Sequence, residues 1–152
     1  MDTIHALNSK ECKRVHQVLE RQFGFSGKLE YAFYRNRKGR IFIVTKDIAE
    51  LPLDEYRINS LGLTFGTEMD DGIRLTIEGS QLIGKDSMHN ILDLTKEELY
   101  SWLKGEELEV DTVLEGFVLI RSGDDFLGCG KVIGRRLINY TSKSRRLIVI
   151  ND

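Results

Sequence analysis

Phe117-Val118-Leu119-Ile120-Arg121, then Ser122-Gly123-Asp124-Asp125, then Phe126-Leu127-Gly128-Cys129-Gly130-Lys131-Val132-Ile133 is the stretch that decides the fold. Two apolar, β-branched runs joined by a short turn of glycine and aspartate predict paired strands. The pattern extends outward to Glu107–Val110, Leu137–Tyr140 and Arg145–Ile150, punctuated by Gly116, Gly128, Gly130 and Gly134. Many short strands with one helix predict a small, partly closed barrel rather than an open sheet. The helix precedes them. Thr95-Lys96-Glu97-Glu98 is a capping box, Leu94 and Leu99 form its hydrophobic staple, Leu99, Trp102 and Leu103 give the buried stripe, and Gly105 is the stop.

Toward the N-terminus a second helix is predicted from Asn8, its N-cap, with Glu11 completing a capping box. Cys12, Val15, Leu19 and Phe23 recur at helical spacing and Gly24 ends it. Leu29–Arg35 and Arg40–Val44 flank Asn36-Arg37-Lys38-Gly39 as a hairpin, followed by a short helix from Lys46 to Leu51 that stops at Pro52. Tyr56–Thr67 alternates loosely and reads as a strand, Asp70-Asp71-Gly72 as a turn, and Ile73, Leu75 and Ile77 as a second alternating run. Gly62 and Gly66 mark a bulge or a close backbone approach. Residues 79–90, small and polar, read as the connection between an N-terminal α/β lobe (1–85) and the β-rich second part (86–152). The fold class is α+β.

Composition narrows the function. The 152 residues are 41% apolar with a net charge of −2, which excludes a disordered chain. The longest apolar runs last about four residues, against the roughly 18 that a spanning helix needs. Met1-Asp2-Thr3-Ile4-His5 lacks the basic start of a signal peptide, and Cys12 with Cys129 makes no disulfide framework. A reduced, cytoplasmic monomer is expected.

Catalytic motifs are weak. Gly128-Cys129-Gly130-Lys131-Val132-Ile133-Gly134 is one residue too long for a dinucleotide loop and leads into another strand, so no helix N-terminus would hold a pyrophosphate. His5, His16, His89, Cys12 and Cys129 have no metal-ligand spacing. Asp70-Asp71 and Asp124-Asp125 fit turn chemistry. No metal, cofactor or enzymatic activity is expected.

Charge, by contrast, comes in blocks. Residues 28–46 carry six cations against Glu30, residues 47–79 eight acids against Arg57 and Arg74, and residues 121–152 seven cations against three aspartates. In the last block cations interleave with Asn139, Tyr140, Thr141, Ser142 and Ser144. Such a surface can bind phosphates through Arg and Lys, stack a base on Tyr140 and read an edge with Asn139. It is equally compatible with a polar hairpin between two apolar strands.

Gly116–Arg121, Gly123 and Leu127–Val132 resemble the glycine-punctuated strand pair of PUA domains, small RNA-binding pseudobarrels. Leu137-Ile138-Asn139-Tyr140 with Lys143, Arg145 and Arg146 is similar to the C-terminal region of Sun-type ribosomal RNA cytosine-5 methyltransferases. Arg57–Gly66 resembles the segment those proteins carry before that region, and Thr95–Gly105 the helix that opens it. The catalytic domain of that family binds S-adenosylmethionine and uses a cysteine that follows a proline; here Leu53 follows Pro52 and no cofactor loop is present, so no catalytic residue carries over.

The resemblance implies a stand-alone PUA-like mixed β pseudobarrel that binds structured ribosomal or transfer RNA in RNA modification or ribosome biogenesis, with a separate RNA methyltransferase as a partner. Arg121, Lys131, Arg135, Arg136, Lys143, Arg145 and Arg146 are the expected phosphate contacts, with Asn139 and Tyr140 on sugar or base. Arg35, Arg37, Lys38 and Arg40 form a second patch that either touches RNA or neutralises the acidic 47–79 segment. The alternative is a protein-docking or assembly factor, which would expose an apolar patch.

Overall fold

The computed structural model describes residues 4–147. Two five-stranded sheets are packed around a shared core. The first is an antiparallel meander in the order β1 (His5–Ala6), β2 (Tyr31–Arg35), β3 (Arg40–Thr45), β4 (Leu63–Met69) and β5 (Gly72–Leu75). The second has β6 (Ile91–Asp93), β8 (Gly116–Ser122), β9 (Asp125–Ile133), β10 (Arg136–Asn139) and β7 (Leu108–Glu109) in that spatial order. It is mixed, because β6 runs parallel to β8, and it curls into a half barrel. The fold is α+β with a PUA-like pseudobarrel.

The apolar run of β8 is continuous because both of its faces are buried. Phe117 and Leu119 join Val15, Leu19 and Phe23 of helix α1 (Ser9–Phe23) in the core shared with the first sheet. Val118 and Ile120 face the other way, into a second core with Trp102 of helix α5 (Lys96–Leu103), Val132 and Leu137. Both capping boxes form as the sequence predicts. Asn8 accepts from the Glu11 amide at 2.9 Å while Glu11 accepts from the Asn8 amide, and Thr95 and Glu98 do the same for α5. Gly24 ends α1 at a φ of 65°, in the left-handed region glycine favours. The 31–45 hairpin forms as read, and Lys46–Ala49 makes the short helix α2.

Several expectations are corrected. Tyr56–Leu61 is not strand: helix α3 (Glu55–Leu61) occupies it, capped by Asp54, whose carboxylate accepts from the Arg57 amide at 2.8 Å. Only from Leu63 does the chain extend. There Ile41 pairs with Gly66 and Phe42 with Thr64, leaving Phe65 as the bulged residue. Close approach accompanies the bulge, since a Cβ on Gly66 would lie 2.8 Å from the Arg74 carbonyl oxygen. Ile77 is not the end of a strand, and 79–90 is not a plain connection. Helix α4 (Ile77–Ile83) starts at Thr76, whose hydroxyl accepts from the Gly79 amide, and is followed by a 3-10 turn at Gly84–Asp86. Its buried face is Gly79, Ser80 and Ile83, and the two small residues let it lie close against β4 and β9. Near the C-terminus, Lys143–Arg145 is a 3-10 turn where a strand is predicted from Arg145; the rest of that run, 148–150, lies outside the described residues. No helix among the described residues is long and apolar enough to cross a membrane.

Candidate nucleic-acid interface

The β9–β10 hairpin and the segment after it carry the cationic tail. Arg135 stands exposed at the hairpin turn and Lys143 on the exposed 3-10 turn; neither makes an ion pair among the described residues. The other cations are already engaged. Arg121 grips Asp93 through two hydrogen bonds, 2.7 and 2.9 Å, across the β6–β8 edge. Lys131 lies 2.5 Å from Asp71 and 5.3 Å from the centre of the Phe117 ring. Arg136 pairs with Glu107, and Arg145 with Glu78 at 2.6 Å. Arg146 donates to the Thr141 carbonyl at 3.1 Å and lies over Gly105, where a Cβ would collide with its guanidinium.

Asn139 acts as a pin. Its amide donates to the Trp102 and Glu106 carbonyls at 2.8 and 3.1 Å and accepts from the Thr141 amide at 2.9 Å. Both ends of the group are therefore spent tying the tail to the end of α5. Tyr140, 38% exposed, lies beneath the Arg74 guanidinium, 4.5 Å from ring centre to carbon.

In the N-terminal hairpin, Arg35 is held by Glu11 at 2.8 Å and Glu68 at 3.0 Å. Arg37, Lys38 and Arg40 are exposed and make no ion pair among the described residues. The Asn36 side chain orders their turn by accepting from the Lys38 and Arg40 amides.

The fold joins the two cationic patches that the sequence keeps apart. A cleft of about 330 Å³ between the sheets is lined by Arg40 and Arg74 from the first and by Tyr140, Thr141, Ser142 and Arg145 from the second. Arg74 is the residue sequence reasoning missed. Its place between Ile73 and Leu75 turns it away from the core, but only the docking of the second sheet shows what it faces.

Ion pairing leaves a measurable signature. The Arg121 guanidinium holds the Asp93 carboxyl below its usual range, Lys131 does the same for Asp71, and the Asn8 amide followed by Arg35 does it for Glu11. These contributions are fully present above the unfolded carboxylate value of about 4 and are lost as pH falls through the lower folded-state values. The melting temperature should therefore fall on acidification below pH of about 4, and Asp93→Asn should blunt that fall. A melting temperature flat down to pH of about 2.5 would contradict these pairs. Cys129 behaves oppositely: burial pushes its thiol up to about 12, so it carries no thiolate at neutral pH. No group of three or more His, Cys, Asp or Glu that could hold a metal occurs among the described residues.

The matched family is informative because its boundaries coincide with this half of the molecule. Residues 89–147 match the family described as the PUA domain of the methyltransferase RsmF. They form a PUA-like domain, of a non-catalytic RNA-binding class. The PUA-like domain takes in β6, α5, the rest of the second sheet and the 3-10 turn with Lys143 and Arg145. Arg57–Gly66, which resembles the piece preceding such domains, lies outside the matched residues, as does the whole first sheet. No curated protein matches the chain.

Proposed function

We propose that this protein binds structured ribosomal or transfer RNA through its PUA-like domain, in RNA modification or ribosome assembly, beside a methyltransferase. The observation that carries this reading is the PUA match over residues 89–147, the segment that also presents the exposed cations Arg135 and Lys143. In this reading those two meet phosphate directly. Arg121, Lys131, Arg136 and Arg145 already have carboxylates at hand and contribute less, while Asn139 and Arg146 position the tail rather than read a base. Arg37 and Lys38 form the second, weaker patch.

The test is binding to a labelled structured RNA over a range of salt. The Arg135→Glu/Lys143→Glu double variant should weaken binding and lower the salt slope by about one to two units, because each lost phosphate contact removes roughly one released counterion. Reversing Arg37 and Lys38 should do less. Equal affinity for the parent and the tail variant at every salt concentration would sink the assignment.

A second reading, protein docking, is favoured by the apolar residues on and beside α3. Leu51, Tyr56, Leu61 and Leu63 are 52%, 79%, 54% and 49% exposed within a short stretch. It requires a purified partner that binds without RNA and loses affinity when Tyr56 and Leu61 become polar.

A further inference from the structure

We propose that the cleft between the two sheets is a pocket for one unpaired nucleotide, its phosphate against Arg40 and Arg145 and its base on the Arg74–Tyr140 stack. The proposal rests on the RNA-binding reading above and names what part of an RNA the inter-sheet surface takes.

Four features of the cleft converge on that ligand. Its volume, about 330 Å³, lies at the lower end of small-ligand pockets and cannot admit a base-paired duplex. Its charge is positive: Arg40, Arg74 and Arg145 line it against Glu78, the one carboxylate among its lining residues. Arg145 already answers Glu78, leaving Arg40 and Arg74 without a carboxylate partner among the described residues. Arginine suits both halves of a nucleotide, because its planar fork takes a phosphate edge-on and its face takes a base. Arg74 is already held over Tyr140, so the stacking surface exists before the ligand arrives.

The floor and rim fit as well. Leu75, Ile77 and Gly128 give the cleft an apolar floor, and beside them the Cys129 thiol stays neutral and adds no negative charge. Thr141 and Ser142 are among the lining residues, and hydroxyl side chains suit sugar and phosphate oxygens. A site with stacking and cations but little fixed base-edge readout is tolerant of base identity. Neither sheet builds this pocket alone, which explains why Arg40 and Arg145, over a hundred residues apart, are brought to one cleft.

The test compares a blunt RNA hairpin with the same hairpin carrying a single-stranded overhang, and titrates the four nucleoside 5′-monophosphates separately. The parent should bind the overhang hairpin roughly tenfold tighter than the blunt one, a stacking-sized advantage. Arg74→Gln should erase that advantage, weakening the overhang hairpin several-fold more than the blunt one. Arg74→Lys, which keeps the charge and the fold but not the plane, should lose most of it with the salt slope unchanged. A photo-crosslinking base in the overhang should join to Tyr140.

An overhang that confers no advantage, or an Arg74→Gln variant that weakens both hairpins equally, overturns the pocket. In that case tail variants that still weaken RNA binding would leave the RNA-binding reading standing. Monophosphates that bind in an Arg74-dependent way while neither hairpin binds would support the pocket with a free nucleotide as its occupant, and would overturn the RNA reading instead.

Discussion

Trp102→Ala should cost about 3–5 kcal/mol of stability, the range for removing a large buried aromatic side chain. Against a typical total of about 5–15 kcal/mol, that is enough to leave much of the PUA-like domain unfolded at physiological temperature. Trp102 is 1% exposed and stands at the centre of the second core, among Leu94, Val118, Ile120, Val132 and Leu137. Its indole N–H donates to the Leu127 carbonyl at 3.1 Å, so truncation also strips that carbonyl of its partner. The ring lies on β9 where Gly128 and Gly130 leave the strand surface flat. A Cβ on Gly130 would come within 2.9 Å of the ring, and one on Gly128 within 3.7 Å. With the indole gone, two glycines have nothing to fill the space, and collapse is poor. Trp102→Phe keeps part of the ring and should cost less, about 1–2 kcal/mol. Urea unfolding followed by far-UV circular dichroism measures both, Trp102 being the chain's sole tryptophan. A loss under about 1 kcal/mol for the alanine variant would mean that this core does not depend on the indole.

That packing also accounts for the glycines that imitate a phosphate-binding loop. Gly128-Cys129-Gly130-Lys131 has the residue types of such a loop, but its backbone is mid-strand and its glycines make room for Trp102. The sequence is enough to reject the loop, because the spacing is wrong and no helix follows. It does not show what the glycines are for, because the residue they accommodate is on another element.

Legibility follows how local the physics is. The two capping boxes and the doubly buried run of β8 are written in contiguous residues and were readable. Helix α4 was not, because its buried face is made of Gly79, Ser80 and Ile83 and so shows almost no apolar periodicity. Helix α3 buries Ile58 completely while Tyr56 is exposed, a pattern that alternation imitates over a few residues. Strands β1 and β6, two and three residues long, exist only through pairing with β2 and β8. The candidate site divides in the same way. Its cationic composition is visible in the sequence, but ion pairing is not. Arg121 and Asp93 are 28 residues apart, and Arg145 and Glu78 are 67 apart. Which cations stay available to phosphate is decided by those long-range pairs, and the joining of Arg40, Arg74 and Tyr140 is decided by the contact between sheets.

Gly79→Ala is the second large effect, and it ties the fold to the cleft. In isolation alanine favours a helix over glycine by about 1 kcal/mol, so propensity alone predicts stabilisation. Contact predicts the reverse. A Cβ on Gly79 would land inside the contact radius of the Phe65 carbonyl oxygen and 3.3 Å from Leu75. The obstacle is backbone at the β4 bulge, already fixed by hydrogen bonds from Thr76, and cannot swing aside as a side chain could. The clash should prevail, with a net loss of about 2–3 kcal/mol, near the upper end of ordinary overpacking. Gly134→Asn is the matched control. Its φ of 62° suits asparagine and nothing lies within 4 Å of the added carbon, so stability should change by no more than about 0.5 kcal/mol. If α4 relieves the clash by moving off β4, it carries Thr76, Ile77 and Glu78 with it, and these line the cleft. The cleft wall beside Arg74 would then shift, so folded Gly79→Ala protein should also lose preference for an RNA overhang. A neutral or stabilising Gly79→Ala would show that α4 can shift without strain, and that the close approach of this helix does not set the shape of the cleft.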